Sequence, residues 1–317
     1  MVFLAILAPQ ACAQRKVVSD YNYQKAVDAF FEDKDDDKAL KLVDKQLDET
    51  PDHLDSRFLR AKIYWRADKY DAALRDLSYA IKHYKGKPSV YKSTLFGLQG
   101  AIYDDMERFA DAVDSYRQAI KFAKKDNPDR IQSYKFDLAQ SLYNAKDLDG
   151  AEKVYFDMLK DDPGDGGAMV GLARNILDQN KYEEGLEWLR KAESYNASYA
   201  EIYRFKMQIL DKLGKTDESV DAALKYFELN DDAPAWLVAE YAGKHYTYGV
   251  AKVKAEMNKD DASDRWIVLL TRLYEDHSDY VKALELYDKV EKEYGEYKMI
   301  AYYKSNCYSE LGQFNMA

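Results

Sequence analysis

The residues of this 317-residue chain that could do chemistry are four histidines, two cysteines and a few acidic or glycine-rich runs. A zinc site on a helix needs histidines four apart on one face. His53, His83, His245 and His277 form no such pair, and they read as packed or solvated side chains. Asp33, Asp35 and Asp37 imitate the first ligands of a calcium loop, in which alternate carboxylates converge on one cation. The sixth position of that loop requires Gly, but Lys38 stands there; the twelfth is Asp44 in place of a bidentate Glu. The run reads as an acidic turn. Gly164, Gly166 and Gly167 could present backbone N–H groups to a phosphate, yet no strand precedes them and no Lys-Ser/Thr follows. Cys12 and Cys307 lie at opposite ends, with neither a disulfide framework nor metal-ligand spacing. The expectation is therefore no catalytic residue, no metal and no cofactor.

The elements that hold these residues are helices. The chain is 47% hydrophobic and 33% charged, with only 14 Gly and 6 Pro, and alternating β-branched runs with Asn-Gly or Asp-Gly turns are missing. A net charge of -10 argues against a nucleic-acid partner, which needs a basic surface to release counterions. The 28 tyrosines fall mostly on helical stripes, where periodic aromatics pack.

Phe96 to Ile120 sets the pattern. Phe96, Gln99, Gly100 and Tyr103 share one helical face, and after Asp104 to Glu107 the spacing resumes with Phe109, Ala112, Tyr116, Ala119 and Ile120. Small residues recur at the same point of each second helix, at Ala39, Ala73, Ala112, Ala151, Gly185, Ser219, Ala251, Ala283 and Ala317. Their commonest separation is 34 residues, and aromatics precede several of them by three, as at Tyr70, Phe109, Tyr182, Tyr280 and Phe314. Prolines follow second helices at Pro51, Pro88, Pro128 and Pro163, where a helix must stop. Order and period resemble the tetratricopeptide repeat. The likeness covers roughly residues 20 to 317 and implies an all-α, right-handed superhelical solenoid over 14–317, about eight and a half repeats, with no internal domain boundary. Separations of 39 predict longer second helices in repeats two and three, at Ile81 to Pro88 and Ile120 to Pro128. Repeat seven, about Ala235 to Lys259, reads as degenerate, and repeat nine stops where its second helix should begin, as in a fragment of a longer chain.

The resemblance also implies a function, the non-catalytic binding of a protein or peptide. In this family the first helices line the concave surface, and residues off the packing stripe face the ligand. On this chain those are Phe58, Lys62 and Trp65 in repeat two, and Phe136, Gln140 and Tyr143 in repeat four. Between them repeat three offers Thr94, Gly97, Ala101 and Asp104, a small floor flanked by aromatic walls. Arg174 and Arg204 continue the row. The Lys and Asn set with which chaperone-binding relatives hold a terminal carboxylate is missing, since Phe58 and Gly97 occupy two of its places. A second candidate surface is the basic edge of Lys82, Lys85, Lys87, Lys121, Lys124 and Lys125, suited to an anionic partner or membrane surface. Two other readings stay open: a recruiting arm for a catalytic domain beyond residue 317, and a glycan-binding envelope protein stacking sugars on Trp65, Phe136 and Tyr143.

Residues 1–13 read as the remnant of a signal peptide. Val2 to Ala8 is an apolar run too short to span a bilayer, and Ala11-x-Ala13 suits a signal peptidase that would leave Gln14 first. A lipid anchor at Cys12 is the competing expectation. Either places the chain outside the cytoplasm, in a bacterial periplasm or at an outer membrane, with no transmembrane span.

Overall fold

The computed structural model describes residues 20–85, 90–259, 263–295 and 298–316. The leader at 1–13, Cys12, Gln14, Lys87, Pro88 and Ala317 lie outside them. Seventeen α-helices follow one another, with no strand among the described residues. The chain divides into two compact units, Met1–Met158 and Leu159–Ala317.

The first unit holds α1 (Tyr21–Phe31), α2 (Asp36–Glu49), α3 (Leu54–Arg66), α4 (Tyr70–Lys82), α5 (Lys92–Asp105), α6 (Phe109–Asp126) and α7 (Ile131–Asn144), and α8 (Leu148–Asp161) begins there. Odd-numbered helices are first helices; α1–α2, α3–α4 and α5–α6 pack as hairpins, and α2, α4 and α6 each pack on the first helix that follows. The second unit repeats the scheme with α9 (Gly166–Asp178), α10 (Tyr182–Tyr195), α11 (Ala200–Lys212), α12 (Thr216–Leu229), α13 (Ala235–Gly243), α14 (Tyr246–Met257), α15 (Arg265–Asp276), α16 (Tyr280–Tyr294) and α17 (Lys298–Glu310).

One turn geometry closes most hairpins. Two residues before the second helix the backbone is left-handed, as at Asp68 (φ 55°), Glu107 (φ 56°), Lys146 (φ 66°) and Gly214 (φ 69°). The amide of the following residue then bonds back across the turn, Lys69 to the Tyr64 carbonyl and Arg108 to the Tyr103 carbonyl, both 2.8 Å. These are Schellman caps, which satisfy carbonyls a helix end would otherwise leave open. Six of the described turns place a non-glycine there, at a cost of roughly 1 kcal/mol each. Repeat seven has no such turn; Lys244 is right-handed at φ -61°.

The small residue of each second helix is its fourth, and it is buried. Ala39, Ala73, Ala112, Ala151 and Ala283 are fully covered. Repeat seven departs from the expectation. Ala251 is exposed, and Gly249 is the buried fourth residue of α14, three after Tyr246. A methyl group on Gly249 would lie 2.2 Å from the Ala242 carbonyl oxygen. The period is therefore shortened before this point, because α13 has 9 residues where α11 has 13. The expected extensions are also unequal: α6 runs 18 residues, whereas α4 stops at Lys82 after 13. Gly86 and Pro88, a permissive residue and a helix breaker, follow α4 closely and favour that early stop.

A buried charge cluster ties the first two repeats together. Asp76 on α4 is 4% exposed. It accepts Arg60 Nε at 2.7 Å, Arg60 Nη2 at 2.8 Å and Arg57 Nη1 at 3.0 Å, both arginines standing on α3. The remaining Arg60 nitrogen reaches Asp44 on α2 at 2.7 Å. Hydrogen bonding to Asp76 outweighs burial and pushes the Arg60 guanidinium further toward its charged form.

Candidate functional site

The chemically suggestive runs have structural duties. Asp35 caps α2, its carboxylate accepting the Lys38 amide at 2.9 Å, while Asp33 pairs with the Lys38 ammonium at 2.7 Å. Asp165 caps α9 through the Ala168 amide at 2.9 Å, which makes the glycine run a helix entry. His53 caps α3 through the Ser56 amide, and His83 stacks on Tyr79 with centroids 4.0 Å apart.

The first-helix residues of the first unit are better placed to meet a ligand. On α3, the Lys62 ammonium sits 4.8 Å from the Phe31 ring centroid, 5.6 Å from Phe30 and 5.7 Å from Phe58. Burial, then the Arg66 charge, holds its pKa below the usual lysine range. No carboxylate among the described residues pairs with it. Phe31 is 56% exposed, so the ring of aromatics is open on one side. Phe58 and Trp65 are partly buried and pack against the core of Ala61, Leu77, Leu95 and Ile102. The Trp65 indole donates to Asp105 on α5 at 2.6 Å. Trp65 is therefore a brace between neighbouring first helices.

The small floor is not open. Tyr134 on α7 is 3% exposed, and a methyl group on Gly97 would lie 2.5 Å from its ring. Gly97 is small because it seats Tyr134, which fills the space that the spacing alone assigned to a ligand. On the far side, Phe136 meets Tyr155 edge-on at 6.3 Å, and Lys146 lies 5.5 Å over Tyr143. Gln140 and Tyr143 are partly buried.

Two carboxyl groups that sequence reasoning did not join lie deeper in this face. Asp104 on α5 accepts the Ser141 hydroxyl at 2.7 Å, and the Tyr116 phenol also bonds it. Burial pushes Asp104 up. Asp137 on α7 is pushed up to about 6, first by burial and then by the charge of Asp104, against a smaller opposing effect of Arg130. Because the folded chain holds this proton more tightly than an ordinary aspartate, the associated stability is present below about pH 4 and is lost as pH rises through about 6. Asp137→Asn is expected to stabilise the first unit at about pH 7.5 and to have little effect at about pH 4. Thermal melts of the two proteins at both pH values check this, and an equal difference at both would remove Asp137 as the cause.

In the second unit, Arg174 on α9 is partly buried, and Arg204 on α11 is paired with Glu201 and lies 4.2 Å over the Phe205 ring. Arg204 is thus already compensated. The clefts here lie farther along: one of about 460 Å³ between α13 and α15, lined by Trp236, Glu240, Lys244, Arg272, Asp276 and His277. Trp236 is 59% exposed. Sequence reasoning missed it because the degenerate repeat hid the register of α13.

The tetratricopeptide repeat family profile matches residues 98–166 and 136–201. No curated protein sequence matches the chain. Among solved structures, the C-terminal part of a repeat-containing protein from Cytophaga hutchinsonii is 14% identical, aligned over 89% of this chain and 98% of its own, with a TM-score of 0.55. PilF of Pseudomonas aeruginosa is 11% identical over 69% of this chain and 95% of its own, with a TM-score of 0.53. PilW, a type IV pilus biogenesis factor, is 16% identical over 66% and 91%, also at 0.53. Identities this low speak to fold alone. With the repeated hairpins, the left-handed turns and the buried small residues, they make the fold an all-α solenoid of tetratricopeptide-type repeats, whose residues 98–201 match the family profile.

Proposed function

We propose that the chain is a non-catalytic docking scaffold that seats a peptide segment of a partner protein on the first helices of repeats two to four. One observation carries the reading. Lys62 is a partly desolvated ammonium without a carboxylate partner among the described residues, ringed by Phe30, Phe31 and Phe58 and open beside the exposed Phe31. An apolar side chain followed by an acidic one would cover the rings and neutralise the charge. Aromatic and cationic anchors of this type dominate recognition energy. Phe136, Gln140 and Tyr143 are proposed to continue the surface within the same unit, and Arg174 and Arg204 to serve the second.

The test begins with a random-peptide display library panned on the whole chain. Enriched peptides are expected to share an apolar-acidic motif, and Lys62→Ala should weaken them by at least about tenfold, or about 1.4 kcal/mol. Trp65→Ala is a poorer probe, since it also removes core packing and the bond to Asp105. Peptides that ignore Lys62→Ala and Phe31→Ala but are lost when Lys82, Lys85, Lys121 and Lys124 are neutralised would move the site to the basic edge.

Export to a bacterial envelope is proposed from Val2–Ala8 and Ala11-x-Ala13. Mass spectrometry of the mature N-terminus separates cleavage before Gln14 from acylation at Cys12. No described helix is long and apolar enough to cross a membrane.

A further inference from the structure

His277 stands in a position no other described histidine shares. It caps α15, and its Nδ1 lies 3.1 Å from the Leu273 carbonyl oxygen of that helix. Its Nε2 lies 3.1 Å from the carbonyl oxygen of Gly243, the last residue of α13. A carbonyl oxygen only accepts. A neutral imidazole has one N–H and one lone pair, so in this geometry one ring nitrogen would turn a lone pair toward a carbonyl lone pair. Only the imidazolium, with two N–H groups, satisfies both contacts. The two acceptors also belong to helix C-terminal ends, where the partial negative charge of the backbone favours a cation.

We propose that His277 is a pH-dependent clamp: protonated, it joins the C-termini of α13 and α15 and holds repeat seven against repeat eight. The ring is fixed for this duty. It stacks on Tyr246 of α14 with centroids 4.4 Å apart and planes at 14°, and Gly243 leaves room for it, since a methyl group there would meet the ring at 2.4 Å. The surrounding charges are largely committed elsewhere. On α15, Arg272 and Asp276 pair at 3.0 Å. On the α13 side, Lys244 pairs with Asp211 of α11 at 2.7 Å, and Glu240 lines the cleft. The Tyr246 phenol donates to Asp279 at 2.9 Å, and Asp279 also holds Lys282. The clamp sits where the left-handed turn of the other repeats is missing, so the hairpin of repeat seven lacks the usual closure and relies on this bond. Histidine is the side chain whose charge changes in the physiological range. Loss of one ring proton removes one of the two bonds.

The inference does not depend on the docking reading, and its test needs no partner. Nitrogen-detected NMR of the whole chain reads the two ring nitrogens of His277 directly at about pH 5.5 and about pH 8. Both should report N–H at the lower pH and one at the higher. Hydrogen exchange, corrected for its intrinsic pH dependence, should show the amides of Lys244 to Gly249 losing about tenfold protection over that interval, with α9 to α12 unchanged. His277→Gln carries an amide whose charge does not change with pH and should flatten the dependence. A ring singly protonated at both pH values, or a protection change that survives His277→Gln, overturns the clamp. If the variant does not fold, the nitrogen spectra of the unmodified chain decide alone.

Discussion

Asp76→Ala is expected to destabilise the first unit by about 3–5 kcal/mol, because it leaves Arg57 and Arg60 partly buried without their shared carboxylate. Asp76 is the member of the cluster with the least exposure, its side chain at 5% against 16% for Arg57 and 20% for Arg60. The attraction is strong only because both arginines are fixed: Arg57 is also held by the Pro51 carbonyl at 2.8 Å and lies 3.7 Å over the Tyr79 ring. Asp44 binds the same Arg60 but is 47% exposed, and Asp44→Ala should cost no more than about 1 kcal/mol. Hydrogen exchange of the α3 and α4 amides reads both variants within one unit. Equal losses for the two would show that burial does not set the strength of this cluster. A chain carrying Asp76→Leu with Arg60→Met should recover part of the loss, as apolar replacement of a whole buried pair often does.

What could be read from the sequence follows from which contacts are local. Tyr70 and Ala73, Phe109 and Ala112, Tyr182 and Gly185 each lie within one turn of a second helix, so their spacing survives in the linear chain and fixes hairpin order. The site is made of contacts between helices, and spacing says nothing of where a long side chain ends. Gly97 looked like an open floor because its neighbours on α5 are small; Tyr134, 37 residues on, fills it. Asp104 and Asp137 come from different phases of their repeats, so no recurrence links them, and only the fold brings their charges together. Lys62 was legible as a surface cation, but not its missing carboxylate. The exposed Trp236 escaped for another reason, the register slip in repeat seven.

That slip makes the second large prediction. Gly249→Ala is expected to destabilise the α13–α14 hairpin by about 2–3 kcal/mol, as overpacking against rigid neighbours does. The obstacle is backbone: the added methyl would stand 2.2 Å from the Ala242 oxygen and 3.0 Å from its carbon. Gly185 provides the control at the equivalent place in repeat five. A methyl there would meet the end of the Ile209 side chain at 2.9 Å, and that end can rotate away. Replacing a mid-helix glycine by alanine also gains roughly 1 kcal/mol of helix propensity. Gly185→Ala should therefore be close to neutral while Gly249→Ala is not. Ala251→Leu distinguishes the two registers, since the residue is exposed here but buried in the register read from spacing. Hydrogen exchange across Ala235 to Met257 is the measurement. A larger loss for Ala251→Leu than for Gly249→Ala would return repeat seven to the regular period and undo the close approach of α13 and α14.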